Sequence, residues 1–142
     1  MSEFELHPRL AQDCHLLGRL SLCRVLLMNE SRYPWLILVP QHSGMTEIHQ
    51  LSAADQLTLI QESSLIARQL QHVLMPDKLN IATIGNLVPQ LHVHHIARYR
   101  ADPAWPAPVW GRFDPVPYAP DALTTLCDRL ALGDLPGFQS EP

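Results

Sequence analysis

The chain is short of charge, of cysteine and of long apolar runs, and each shortage narrows what it can be. Asp, Glu, Lys and Arg make up 17% of its 142 residues, below the usual share of about a quarter. The formal net charge is −4, with no basic footprint of the kind that binds nucleic acid, so no nucleic-acid partner is expected. An anionic substrate would have to be met by a local positive site rather than by a global field. The three cysteines, Cys14, Cys23 and Cys127, are odd in number and contain no C-x-x-C pair, which argues against a disulfide framework. Reduced thiols suit a cytoplasmic protein. The longest apolar runs, VLLM and WLILV, are far too short to cross a bilayer. The first residues, MSEFELHPRL, lack the pattern of a secretory signal. The expectation is a cytoplasmic protein with no membrane partner.

What is present is a hydrophobic content of 46%, enough for a core in one domain over residues 1–142. Residues 20–28, LSLCRVLLM, and 35–39, WLILV, flank the polar turn NESRYP and read as a hairpin. Their near-continuous hydrophobicity predicts burial on both faces. Ser52 opens SAAD, a variant of the capping box, and predicts a helix to about residue 74, stopped by Pro76. Leu57, Ile60, Ala67, Leu70 and Leu74, with Ser64, recur at three- and four-residue steps and predict its core face. Residues 79–84 read as a strand, Gly85-Asn86 as a turn and residues 90–98 as a second strand.

Residues 101–120 hold six of the 13 prolines and cannot form a regular helix. Their two Trp, one Phe and one Tyr are unlike a flexible linker and predict an ordered coat across the domain. Asp121 is expected to cap a last helix, to about residue 132, with Leu123, Leu126, Cys127 and Leu130 on one face and Gly133 as its stop. The order β-β-α-β-β-loop-α predicts an α+β domain around an antiparallel sheet.

The densest chemistry lies in VPQLHVHHIAR, residues 88–98. Side chains alternate along a strand, so Gln90, His92, His94, Ile96 and Arg98 share one face, each about 6.5–7 Å from the next. His95 falls on the other face, where it is expected to be hydrogen-bonded beneath the sheet, unless a bulge swings it into the site. Three readings of His92 and His94 are open on the residues alone. They can be ordinary strand histidines. They can chelate a metal, which needs a third and usually a fourth ligand; the remaining histidines stand singly, with no HExxH and no cysteine pair. Or they can act on phosphorus, because a neutral imidazole is a nucleophile when its other nitrogen donates to a carbonyl.

The run Gln90-Leu91-His92-Val93-His94-His95-Ile96 resembles the histidine triad (HIT) family, whose signature alternates three histidines with apolar residues. In this register His92 falls at the central nucleophile, His94 at the third histidine and Gln90 where the first histidine stands. His95 occupies an apolar position. LILVPQHSGMTEIHQLSAADQ, from Leu36, is similar to the family's strand, turn and helix start. Asn29 falls where the family places a ribose-binding Asn or Asp, and Gly85-Asn86 resembles its phosphate-side turn. Trp35 stands where a histidine often supports the triad. The segment Trp105 to Gly111 looks like the tail of a bacterial sub-branch.

The resemblance implies a HIT-like α+β fold and a nucleotide hydrolase or transferase that works through a nucleotidyl-histidine. His92, His94 and Gln90 are then the catalytic set. Asn29, Gly85, Asn86 and Arg98 are the nucleotide- and phosphate-binding set. No metal or other cofactor is implied, and a homodimer is expected because family members are commonly dimeric. Two alternatives stay open: a non-catalytic nucleotide-binding or regulatory domain, and a histidine-based metal-binding protein.

Overall fold

The two most apolar runs form the middle of a six-stranded antiparallel sheet. This computed structural model describes residues 3–141; residues 1, 2 and 142 of the expected 1–142 span lie outside the described residues. The chain begins with a short helix α1 (Pro8–Asp13) and strand β1 (Cys14–Arg19), then β2 (Cys23–Met28) and β3 (Trp35–Pro40). Helix α2 (Ala53–Leu74), strands β4 (Lys78–Ala82) and β5 (Val93–Arg98), helix α3 (Pro120–Leu130) and the two-residue strand β6 (Gln139–Ser140) follow. The sheet order is β4-β5-β3-β2-β1-β6. The expected hairpin is the β2–β3 pair, with Leu26 opposite Ile37. Every residue of β3 and β5 is buried, because both faces of the sheet are covered.

One face packs against α2 and α3. Val25, Leu27, Leu36, Leu38, Val93 and Ala97 meet Leu59, Ile66, Leu70 and Leu130 there. The other face carries Leu26, Trp35, Ile37, Val39 and Ile96, under Leu10 of α1 and Ala104 and Val109 of the proline-rich segment. That segment is therefore an ordered coat. Asp102 accepts the Arg98 guanidinium and the Tyr99, Ala104 and Trp105 amides. Further on, the Val116 carbonyl accepts from the Ser31 amide, and the Glu30 carboxylate accepts from the Val116 amide.

Helix α2 begins where the capping residue predicts, with Ser52 Oγ accepting the Asp55 amide at 3.1 Å, and ends at a left-handed Met75. Its buried face matches the expected one at Leu70 and Leu74 and departs from it earlier in the helix. Leu59, Glu62, Ser63, Ile66, Leu70 and Leu74 are buried, whereas Leu57 and Ile60 are 61% and 59% exposed. The reason is that two polar side chains on the buried face have partners. Glu62 accepts the Leu22 and Cys23 amides, each at 2.9 Å, and Ser63 bonds His95. A stripe defined by apolar letters alone steps past them.

Three boundaries also shift. Strand β5 starts at Val93 rather than at residue 90, since residues 83–92 run as loop and turn. Helix α3 has Ala119 as its capping residue without a side-chain cap, so Asp121 sits inside the first turn. It stops at a left-handed Ala131, with no need of Gly133. Helix α1 and strands β1 and β6 are not among the elements that the sequence pattern predicts.

Candidate active site

His92 lies one residue before β5, outside the sheet ladder, so other groups must hold it. Its neighbour Leu91 donates its amide to the Met45 carbonyl at 2.9 Å. On the other side the Gln90 amide makes two bonds to the N-terminal segment. Nε2 donates to the Glu5 carbonyl at 2.9 Å, and Oε1 accepts the His7 amide at 2.8 Å. A primary amide can donate and accept along one backbone in this way. With residue 90 held, its carbonyl accepts from His92 Nδ1 at 2.6 Å. A carbonyl only accepts, so Nδ1 carries the proton and Nε2 keeps a free lone pair.

His94 is set in the opposite sense. Trp35 Nε1 donates to His94 Nδ1 at 2.9 Å. An indole nitrogen only donates, so Nδ1 of His94 is bare and its neutral ring carries the proton on Nε2. The two rings stand edge to face with centroids 4.8 Å apart. Trp110 packs edge-on against His94 at 5.3 Å. Burial holds the His92 imidazole below its ordinary range, opposed in part by the bond to the Gln90 carbonyl. Burial, then the neighbouring His92 and His95 rings, pushes His94 down to about 3. Both rings are neutral at physiological pH. One offers a lone pair and the other an N–H.

His92 and His94 line a cavity of about 690 Å³ whose walls are mainly apolar. Gly85 and Asn86 stand on one side of it, Trp35 and Ile37 on the sheet, and Trp110 and Phe113 on the proline-rich coat. Gly85 has φ +74°, a left-handed turn that suits glycine. Helix α1 adds Arg9, Leu10 and Asp13 to the wall, followed by Cys14 at the start of β1.

Three residues expected in the site are placed otherwise. Gln90 keeps its side chain in the N-terminal segment rather than in this cavity. Arg98 is 1% exposed and does not line it. Its guanidinium is engaged by Asp102, by Asn80 Oδ1 and by the Ala107 carbonyl, so it anchors the coat rather than phosphate. Asn29 Oδ1 accepts the Tyr118 amide at 2.9 Å and holds the end of that coat. His95 lies on the helix side, as alternation requires, wholly buried. Its Nδ1 donates to the Val93 carbonyl at 3.1 Å, and its Nε2 accepts the Ser63 hydroxyl at 2.7 Å. Among the described residues no third His, Cys, Asp or Glu groups with this pair to form a metal-ligating set. Neither α1 as a cavity wall nor Trp35 as the donor to His94 is legible in the sequence pattern. Cross-strand pairing sets the latter, with Ile37 opposite His94 and Trp35 opposite Ile96.

The fold and site define an antiparallel α+β domain with a paired imidazole centre at the start of an inner strand. The chain belongs to the histidine triad (HIT) family: the HIT domain matches residues 9–101. It is similar to a histidine triad protein from Marinobacter aquaeolei VT8 at 48% identity and TM-score 0.89, covering 92% of this chain and 95% of that one. A histidine triad protein from Bradyrhizobium japonicum, blr8122, matches at 43% identity and TM-score 0.89, over 91% and 96% of the two chains. One from Sinorhizobium meliloti 1021 matches at 43% identity and TM-score 0.87, over 89% and 94%. No curated protein matches the chain. Among the described residues no helix is long and apolar enough to cross a membrane.

Proposed function

We propose that the chain is a cytoplasmic nucleotide hydrolase or transferase that cleaves a bond at the α-phosphorus through a nucleotide covalently held on His92. The single observation that carries this reading is the complementary proton placement on the two imidazoles. His92 Nε2 has the free lone pair that attack on phosphorus needs, and its Nδ1–H is held by a carbonyl that stabilises the positive charge gained on attack. His94 Nε2–H donates to a non-bridging phosphoryl oxygen as negative charge gathers there. The Asn86 side chain and the backbone of the Gly85 turn hold further phosphate oxygens. The apolar walls take the base. Gln90 positions His92 and does not touch substrate. No metal or cofactor takes part in this scheme.

The test is incubation with a dinucleoside polyphosphate followed by intact-mass measurement. The proposal predicts a transient gain of one nucleotidyl group in the native chain, and none in His92→Ala, whose turnover falls to background while nucleotide binding persists. Turnover by His92→Ala above background sinks the proposal. Nucleotide binding with no adduct in the native chain would instead mark a non-catalytic nucleotide-binding domain.

We also propose a homodimer formed through the face of α2 that carries Leu57 and Ile60. These side chains, with Ile81 on edge strand β4, leave apolar surface uncovered, which suits a second copy of the chain.

A further inference from the structure

We propose that this site accepts only nucleotides whose leaving group departs as a stable anion, such as a carboxylate or a phosphate, and not those that must expel an amine. The inference rests on the covalent reading above and names the substrate class within it.

An amine leaving group must gain a proton as its bond to phosphorus breaks, which requires a positioned acid. No imidazole of the cavity can be that acid. His92 Nε2 is the nucleophile, and its Nδ1–H is bonded to the Gln90 carbonyl, away from the leaving group. His94 has one proton, on Nε2. Its Nδ1 is occupied by the Trp35 indole, which cannot supply a proton to replace one given away, so donating would leave an imidazolate. The two positions that would extend a relay hold Trp35 and Gln90, and neither side chain titrates. Both polar atoms of the Gln90 amide are already spent on Glu5 and His7.

Among the described residues the other ionisable groups of the wall do not fill the gap. Tyr33 is one of them, and its hydroxyl is buried rather than presented to the cavity. The Glu30 carboxylate accepts from Arg32 and the Val116 amide, and Asp13 is paired with Arg9 at 2.9 Å. The Cys14 thiol faces Met28 Sδ, and burial makes it a far weaker acid than a free thiol.

With an acyl or phosphoryl anhydride the steps balance without an acid. The His92 Nε2 lone pair forms the N–P bond, and the P–O bond to the leaving group breaks with its electron pair on oxygen. The carboxylate or phosphate leaves ionised. Water then attacks phosphorus, the N–P pair returns to Nε2, and one proton of that water passes to solvent. With a phosphoramidate the first step strands an electron pair on nitrogen and has no proton to meet it.

The test uses the native full chain and a series of nucleoside 5′-monophosphate aryl esters. Their phenols range from strongly acidic to unsubstituted, with pKa about 10. The inference predicts that the rate of adduct formation falls by nearly tenfold for each unit of leaving-group pKa. It also predicts kcat/KM for a primary-amine nucleoside phosphoramidate at least about 100-fold below that for a nucleotidyl carboxylic anhydride. Trp35→His, which puts a titratable ring against His94 Nδ1, should narrow that gap. A shallow series in the native chain, or equal turnover of phosphoramidate and anhydride, overturns the inference while leaving the His92 adduct standing. Failure of every member to form an adduct overturns the covalent reading on which it rests.

Discussion

The proton positions on His92 and His94 depend on two neighbours that the histidine pattern does not contain. The carbonyl of residue 90 fixes one ring and the Trp35 indole fixes the other in the opposite sense. His95 follows the same logic on the far face of the sheet, where Ser63 satisfies its Nε2. Ser63→Ala should leave that nitrogen buried without a donor and lower stability by about 1–3 kcal/mol. Urea unfolding measures the loss, and turnover per folded molecule should stay unchanged. A fall in turnover at unchanged stability would instead place His95 in the chemistry. At this scale the sequence carries much of the centre. Alternation alone separates His92 and His94 from His95, because period two is a property of any strand. It does not foresee the partners of Arg98 and Asn29, since nothing in a linear pattern tells a guanidinium that meets phosphate from one that meets Asp102. Asn29 Oδ1 likewise accepts the Tyr118 amide, far along the chain.

Among the elements, the N-terminal segment has the largest unforeseen effect. His92 sits ahead of β5, beyond the reach of the ladder, and the two bonds from Gln90 to the backbone of Glu5 and His7 compensate. His7 also caps α1 by accepting the Arg9 amide on Nδ1 at 3.0 Å, so the same latch seats the helix that walls the cavity. Gln90→Ala should raise hydrogen exchange at the His7 amide and lower the rate of adduct formation by about tenfold, the weight of one well-made hydrogen bond. Unchanged exchange together with an unchanged rate would show that the segment does not position His92. The hairpin and α2 were legible because each has both a pattern and a terminator: NESRYP between the strands, Ser52 and Pro76 around the helix. Helix α1 has six residues, too few to display a period, and β6 has two. Both form because tertiary partners are already in place.

For the whole molecule, covered faces on both sides of the sheet explain why β3 reads as an unbroken apolar run. They also explain how a chain with few charges hides much of its apolar surface. What stays uncovered is Leu57 and Ile60, the first part of the stripe of α2 that apolar periodicity assigns to the core, whereas Leu70 and Leu74 of that stripe are buried. A buried face and an exposed apolar face give the same letters in a helix, and only the partners of Glu62 and Ser63 separate them. If the proposed dimer forms, Leu57→Glu with Ile60→Glu should convert it to a folded monomer in sedimentation equilibrium. A native chain that sediments as a monomer would contradict the dimer.

The central claim is that His92 attacks through Nε2 while Nδ1 stays bonded to the Gln90 carbonyl. Trapping the nucleotidyl adduct and locating its phosphorus by nitrogen–phosphorus coupling in the labelled ring tests this most directly. The account predicts phosphorus on Nε2 of His92 with a proton retained on Nδ1. Phosphorus on Nδ1, or on His94, would contradict it.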